Sequence, residues 1–284
     1  MRPLASGGAY AYHYLWHRDP GLLPGLRPVF VGDEAAKARE YHAVVREDTG
    51  DVLGIHRGAY RLVPNREVFE PFEEAILQSG IPVEGLEVHE GLAYRGRTVV
   101  REYIFPHVAL EPQIGDVVEF KLLVVNSYDA TNAFRAVMAG RRRLCLNGLV
   151  GEERKAQVYA RHTSGFSSER AVDGIRRAMD RYFALDGEWK RWAALGITPE
   201  AARAVFEAMP EANPRRLARL DEAWAIEARL AGQTVWGLYN ALTRWSTHAP
   251  VRAASEANRA AVVLNRESLV RRALASPAFQ RLAG

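Results

Sequence analysis

The sequence predicts an α+β protein, with an antiparallel or mixed sheet in the N-terminal half packed with helices and a helix-rich C-terminal half. Three observations predict it. Period-two runs of β-branched and aromatic residues dominate from Tyr41 to about Arg161. After Ser167 the apolar spacing changes to three and four residues, and Ser, Thr-Pro and Asn-Pro stand where helices would start. Charge changes along the chain as well. Residues 1–120 hold 12 basic and 18 acidic side chains, a net of −6, whereas residues 121–284 hold 26 and 16, a net of +10. The expected organisation is an irregular N-terminal arm over 1–40, a strand-rich α+β core over 41–166 and a helical region over 167–284 packed on that core.

The arm is rich in Gly, Pro and aromatic residues without clean periodicity. His13 and His17 have a spacing that suits a metal on a helix, but Pro20 and Gly21 follow at once and no third ligand is evident, so no metal is expected. From Tyr41, the runs Ala43–Glu47 and Asp51–Ile55 flank Asp48-Thr49-Gly50, a hairpin signal. Ala59–Val63 reads as a third strand. Pro64-Asn65 then opens a helix with Val68, Phe69, Phe72, Ile76 and Leu77 on one face, stopping at Ser79-Gly80. Further strands are predicted at Val83–His89, Thr98–Phe105 and Val117–Val125. A polar loop, Asn126–Asn132, follows. Arg141–Gly148 reads as a basic strand and Ala156–Arg161 as another. Helices are predicted from Ser168 to about Leu195, from Pro199, from Pro214, over Thr234–Ser246 and from Asn265 to Leu282.

Composition and motifs exclude several classes. A 48% hydrophobic, 25% charged chain is not a disordered one. No apolar run approaches the roughly 18 residues of a membrane span, and the first residues lack a signal-peptide apolar core. One cysteine, Cys145, forbids an intrachain disulfide. A cytoplasmic protein without membrane contact is expected. There is no phosphate-binding Gly-rich loop ending in Lys-Ser/Thr, no Gly-x-Gly-x-x-Gly after a strand and no Cys-x-x-Cys, so no cofactor is expected.

Three candidate sites remain. Arg141, Arg142 and Arg143, with Arg154, Lys155 and Arg161, form the strongest basic feature. If the Ala156–Arg161 strand pairs beside the Arg141–Arg143 run, a basic sheet edge results, with Tyr128 and Tyr159 close enough in sequence to stack on bases. The alternative is a solvated strand paired to nearby glutamates. The polar loop offers Asn126, Ser127, Asp129 and Asn132 directly after a core strand, where loops commonly carry function; Asp129 equally suits a helix cap near Thr131. Asp129, Cys145 and His162 are the candidates for catalysis, because a thiolate needs a base or a positive field beside it. Arg266, Arg271, Arg272 and Arg281 read as a solvated helical face.

Several stretches resemble a known family in order along the chain. They are Val44–Gly54 (VVREDTGDVLG), Tyr60–Phe69 (YRLVPNREVF), Asn126–Ala133 (NSYDATNA), Arg141–Leu149 (RRRLCLNGL), Arg161–Thr163 and Thr234–His248 (TVWGLYNALTRWSTH). They are similar to the phage/plasmid-like family named domain of unknown function 932. The chain departs from its pattern at Tyr128, where the family often has His, and at Ala130 and Gly148, where it often has Gly and Thr. The resemblance, the basic back half and the basic strands together lead to the expectation of a DNA-binding accessory protein of a phage or plasmid, in single-stranded DNA binding or annealing during recombination or replication, working as a homo-oligomer. The alternatives are a hydrolase-like enzyme using Asp129, Cys145 and His162, and an interaction module acting on a host defence system.

Overall fold

A computed structural model describes residues 11–13, 26–30, 41–57, 64–129, 134–144, 148–150, 157–160, 168–252 and 257–284. The Asp48-Thr49-Gly50 turn joins β3 (Tyr41–Arg46) to β4 (Val52–Arg57) as an antiparallel hairpin. Gly50 takes a φ of 72°, which suits a residue without Cβ. The Arg46 amide bonds the Asp51 carbonyl at 3.0 Å, and the Arg46 guanidinium grips both oxygens of Asp48. Within residues 1–40, where an irregular arm is expected, two short stretches are described. They contribute β1 (Ala11–His13) and β2 (Leu26–Phe30), and β2 completes a three-stranded sheet in the order β2-β3-β4. Pro28 masks that strand in the sequence, and it is tolerated because β2 is an edge. The expected third strand, Ala59–Val63, lies outside the described residues.

Helix α1 (Asn65–Ser79) starts after Pro64 and stops at Gly80, which has a φ of 82°. A Glu84-Gly85 turn then delays the next strand, so β5 is Glu87–Ala93 rather than Val83–His89. β6 (Thr98–Leu110), β7 (Val118–Ser127) and β8 (Phe134–Arg142) follow as an antiparallel meander. With β9 (Gly148–Val150) and β10 (Gln157–Ala160) they make a seven-stranded sheet in the order β1-β5-β6-β7-β8-β10, with β9 also on β8. Only the β1–β5 pair is parallel among the described pairings. The expected basic strand Arg141–Gly148 is therefore corrected. The strand is Phe134–Arg142, and Arg141 and Arg142 are its last two residues.

Both faces of this sheet are covered. Val99, Tyr103, Phe105, Phe120, Leu122, Val124, Phe134 and Met138 belong to the main core, together with Phe69, Phe72 and Ile76 of α1. On the opposite face Val100, Leu123 and Val125 meet Ala260 and Leu264. Burial on two sides removes the polar half of the alternation, which is why β8 did not read as a strand.

At Pro199, Pro214 and Val235 helices start where their caps predict, whereas the helix expected from Asn265 starts earlier, at Arg259. Helix α2 (Ser168–Ala194) sets its Tyr182 hydroxyl on the Val118 carbonyl at 2.6 Å. Thr198, Asn213 and Thr234 cap α3 (Pro199–Glu207), α4 (Pro214–Leu230) and α5 (Val235–His248) through their side chains. The expected last helix is two: α6 (Arg259–Leu274) and α7 (Pro277–Ala283), divided at Ser276-Pro277, where Ser276 caps a new helix with Pro at its first position. Trp189 and Trp192 of α2 pack on Trp236 and Tyr239 of α5 and on Phe279 of α7, with ring centroids 5.3–5.5 Å apart for Trp189–Trp236, Trp192–Tyr239 and Trp192–Phe279. No described helix is long and apolar enough to cross a membrane.

Candidate nucleic-acid interface

The three consecutive arginines at the end of β8 alternate across the sheet, so they meet different surroundings. Arg141 bonds both oxygens of Glu87 on β5 and reaches Glu119 on β7 at 2.5 Å. Arg141 thereby holds the Glu87 carboxyl down to about 2, with His89 helping. Arg142 points into the core and has no solvent exposure. Its guanidinium grips Asp116 at 2.5 and 2.7 Å and Glu227 of α4 at 2.5 Å. Asp116 also accepts the Trp236 indole N–H at 2.8 Å, and Arg244 takes the other Glu227 oxygen at 3.2 Å. Arg143 alone of the three is exposed, with 57% of its side chain accessible, and it bonds Glu119 at 2.8 Å. Glu87, Glu119, Asp116 and Glu227 thus balance Arg141, Arg142, Arg143 and Arg244. This is a neutral cross-brace between strands and helices, not a basic edge.

The expected strand pairing differs too. β10 pairs with Phe134–Val137 of β8, placing Tyr159 opposite Arg135, while β9 lies opposite Arg141. Tyr128 is corrected as a stacking residue because it is buried; its hydroxyl accepts the Asn65 amide N–H at 2.6 Å. Arg154, Lys155, Arg161, Cys145, His162 and Asn132 lie outside the described residues.

The polar loop is a joint. Asn126 and Ser127 end β7 in full burial. The Asn126 amide donates to Asn65 Oδ1 at 2.8 Å, tying the strand to the start of α1. The Tyr128 amide bonds the Arg97 carbonyl at 2.8 Å, and its own carbonyl lies 2.6 Å from His56 Nε2 on β4. Gly54 of β4 sits so close that an added Cβ would stand 2.2 Å from the Tyr128 carbonyl oxygen. Asp129 follows at intermediate exposure. These contacts lock the small sheet to the large one and to α1.

Among the described residues, a basic surface that opens to solvent lies on the helices. Arg215, Arg216 and Arg219 occupy the first turns of α4, Arg252 follows α5, and Arg266 is on α6. With Trp245 of α5 they line a cavity of about 330 Å³, and no carboxylate is among its described lining residues. Arg216 and Arg266 sit 5.5 and 5.8 Å from the Trp245 ring centroid, close enough for cation–π attraction. Arg266 donates to the Ala249 and Pro250 carbonyls at 2.6 and 2.9 Å, and Arg216 to the Pro210 carbonyl at 2.5 Å. Burial, then the positive charges of Arg259 and Arg216, lower the Arg266 pKa. Arg266 is therefore part of a positive recess rather than of a solvated face. The sequence carried a partial signal, Asn-Pro-Arg-Arg-x-x-Arg at a helix start, but the meeting of that start with Arg252 and Arg266 is tertiary.

A family model described as Domain of unknown function (DUF932) matches residues 52–269. The chain belongs to the DUF932 family. No curated protein and no solved structure matches it significantly. The DUF932 match runs from the first residue of β4 into α6, so it contains the sheet joint, the arginine cross-brace and all five arginines of the recess.

Proposed function

We propose that this DUF932 protein binds nucleic acid, single-stranded DNA in the first place, through its helical half. The role would be that of an accessory protein of a phage or plasmid in recombination or replication, working as a homo-oligomer. One observation carries the reading: five arginines converge on a recess that has no carboxylate among its described lining residues. The Arg266 guanidinium is held by neutral carbonyls, which leave its charge available, and phosphate is an oxyanion whose geometry suits guanidinium. The net charge of +10 over residues 121–284 adds a field of the right sign. The contact surface in this reading is the α4–α5–α6 face, not Arg141–Arg143, whose charges are already matched.

Fluorescence anisotropy of a labelled single-stranded oligonucleotide across a salt series tests it. Binding should weaken as salt rises, because phosphate contacts release counterions. Arg215→Glu/Arg252→Glu should weaken binding and flatten the salt dependence, since both side chains are exposed and have no partner among the described residues. Arg143→Ala should change little. Absence of binding at low salt sinks the proposal.

A further inference from the structure

We infer that the recess between α4, α5 and α6 is a phosphomonoester site that receives the phosphorylated end of a nucleotide. The inference rests on the nucleic-acid reading above and narrows it to one chemical group. A volume of about 330 Å³ gives room for a phosphate and its sugar but not for a run of stacked bases. Such a volume lies at the small end for ligand pockets. Trp245 is only 6% exposed, and two guanidiniums crowd its ring, so it offers no platform for a base. What the recess presents is charge.

The amount of charge discriminates between phosphate types. Arg215 and Arg252 are exposed with no partner among the described residues, and Arg266 donates to two backbone carbonyls. Two described carboxylates that meet these arginines lie outside the lining. Arg219 meets Glu222 at 2.7 Å, and Arg216 meets Glu211 at 3.4 Å, where Glu211 is 78% exposed. An internal phosphodiester brings one negative charge. A terminal phosphomonoester brings about 1.5 to 2 at neutral pH and three acceptor oxygens. The latter matches several converging guanidiniums better. The first turn of the 17-residue α4 opens at the same place, and its dipole favours an anion there. Arg216 and Arg266 are pre-positioned by their carbonyl and ring contacts, so little side-chain order has to be gained on binding.

The test compares one single-stranded oligonucleotide with a 5′-phosphate and with a 5′-hydroxyl, labelled at its other end, and compares AMP with adenosine by calorimetry. The phosphorylated strand should bind about tenfold more tightly than its hydroxyl twin, the scale of one or two added charge-assisted hydrogen bonds. Arg215→Glu/Arg252→Glu should erase that difference, and Arg266→Lys should reduce it while leaving the fold intact by circular dichroism. A strand advantage with AMP silent assigns the site to strand ends. AMP binding without adenosine binding, and with no strand advantage, assigns it to free nucleotides. Either result upholds the phosphomonoester site. Equal binding of both strands, with AMP and adenosine alike silent, overturns it while leaving strand binding in place. Failure of both strands with AMP still bound removes the strand reading instead.

Discussion

Arg142 has no solvent-exposed surface and grips Asp116 and Glu227, whereas Arg143, the next residue, has more than half of its side chain in water and pairs with Glu119, which Arg141 also holds. Removing one member of a buried ion network leaves its partners charged and unmatched, a cost of about 3–5 kcal/mol, while an exposed pair contributes no more than about 1 kcal/mol. Urea unfolding should therefore show a large loss of stability for Arg142→Ala and almost none for Arg143→Ala; equal effects would refute the burial argument. Glu87 gives a pH counterpart. Its carboxyl is lowered from 4.5 to about 2, chiefly by Arg141, so its contribution to stability is present above about pH 4.5 and is lost as pH falls towards 2. Glu73 and Glu90, raised by burial despite Arg101, act in the opposite sense and favour the fold at low pH. The comparison that isolates Glu87 is the urea midpoint of wild type against Glu87→Gln between about pH 5 and pH 2. The wild-type midpoint should fall more steeply than that of the variant, and parallel curves would disprove the assignment.

At the scale of elements, legibility followed the strength of local signals. The hairpin over Asp48-Thr49-Gly50, the start of α1 after Pro64 and the starts of α3, α4 and α5 were readable, because a positive-φ glycine or a capping side chain acts within a few residues. β8 was not readable, since Phe134, Ala136 and Met138 are buried on one face while Val137 and Ala139 are buried on the other. Of the expected polar loop, Asn126 and Ser127 are the last residues of β7, and their part in a joint with Tyr128 depends on Asn65, His56 and Gly54, which reach them only through the fold. The arginine run was read as one basic unit because sequence shows the donors and hides the acceptors. Glu87, the Asp116–Glu119 stretch and Glu227 come from three separate places in the chain. The recess was missed for the same reason, with Arg215, Arg252 and Arg266 on different segments.

Across the whole molecule, the charge division survives only in part. Much of the positive excess that the sequence assigns to residues 121–284 is consumed internally by acidic partners from the front half, as with Arg141 on Glu87 and Arg142 on Asp116. Among the described residues, a group of arginines facing outward lies on the helices around the recess. Topology has a kinetic side as well. β5 to β8 are joined in sequence order by antiparallel contacts, so each pairing closes a short loop. β1 instead lies parallel to β5, with β2, β3, β4 and α1 intervening between Ala11 and its partner Glu87. Its docking waits for a long closure and is secured by three residue pairs. In native-state hydrogen exchange the amides of Ala11–His13 should exchange ahead of those in β6 and β7, with the order reversed only if the outermost strand were part of the folding nucleus. The sheet is thus expected to assemble from its middle outward, its first strand in sequence arriving last.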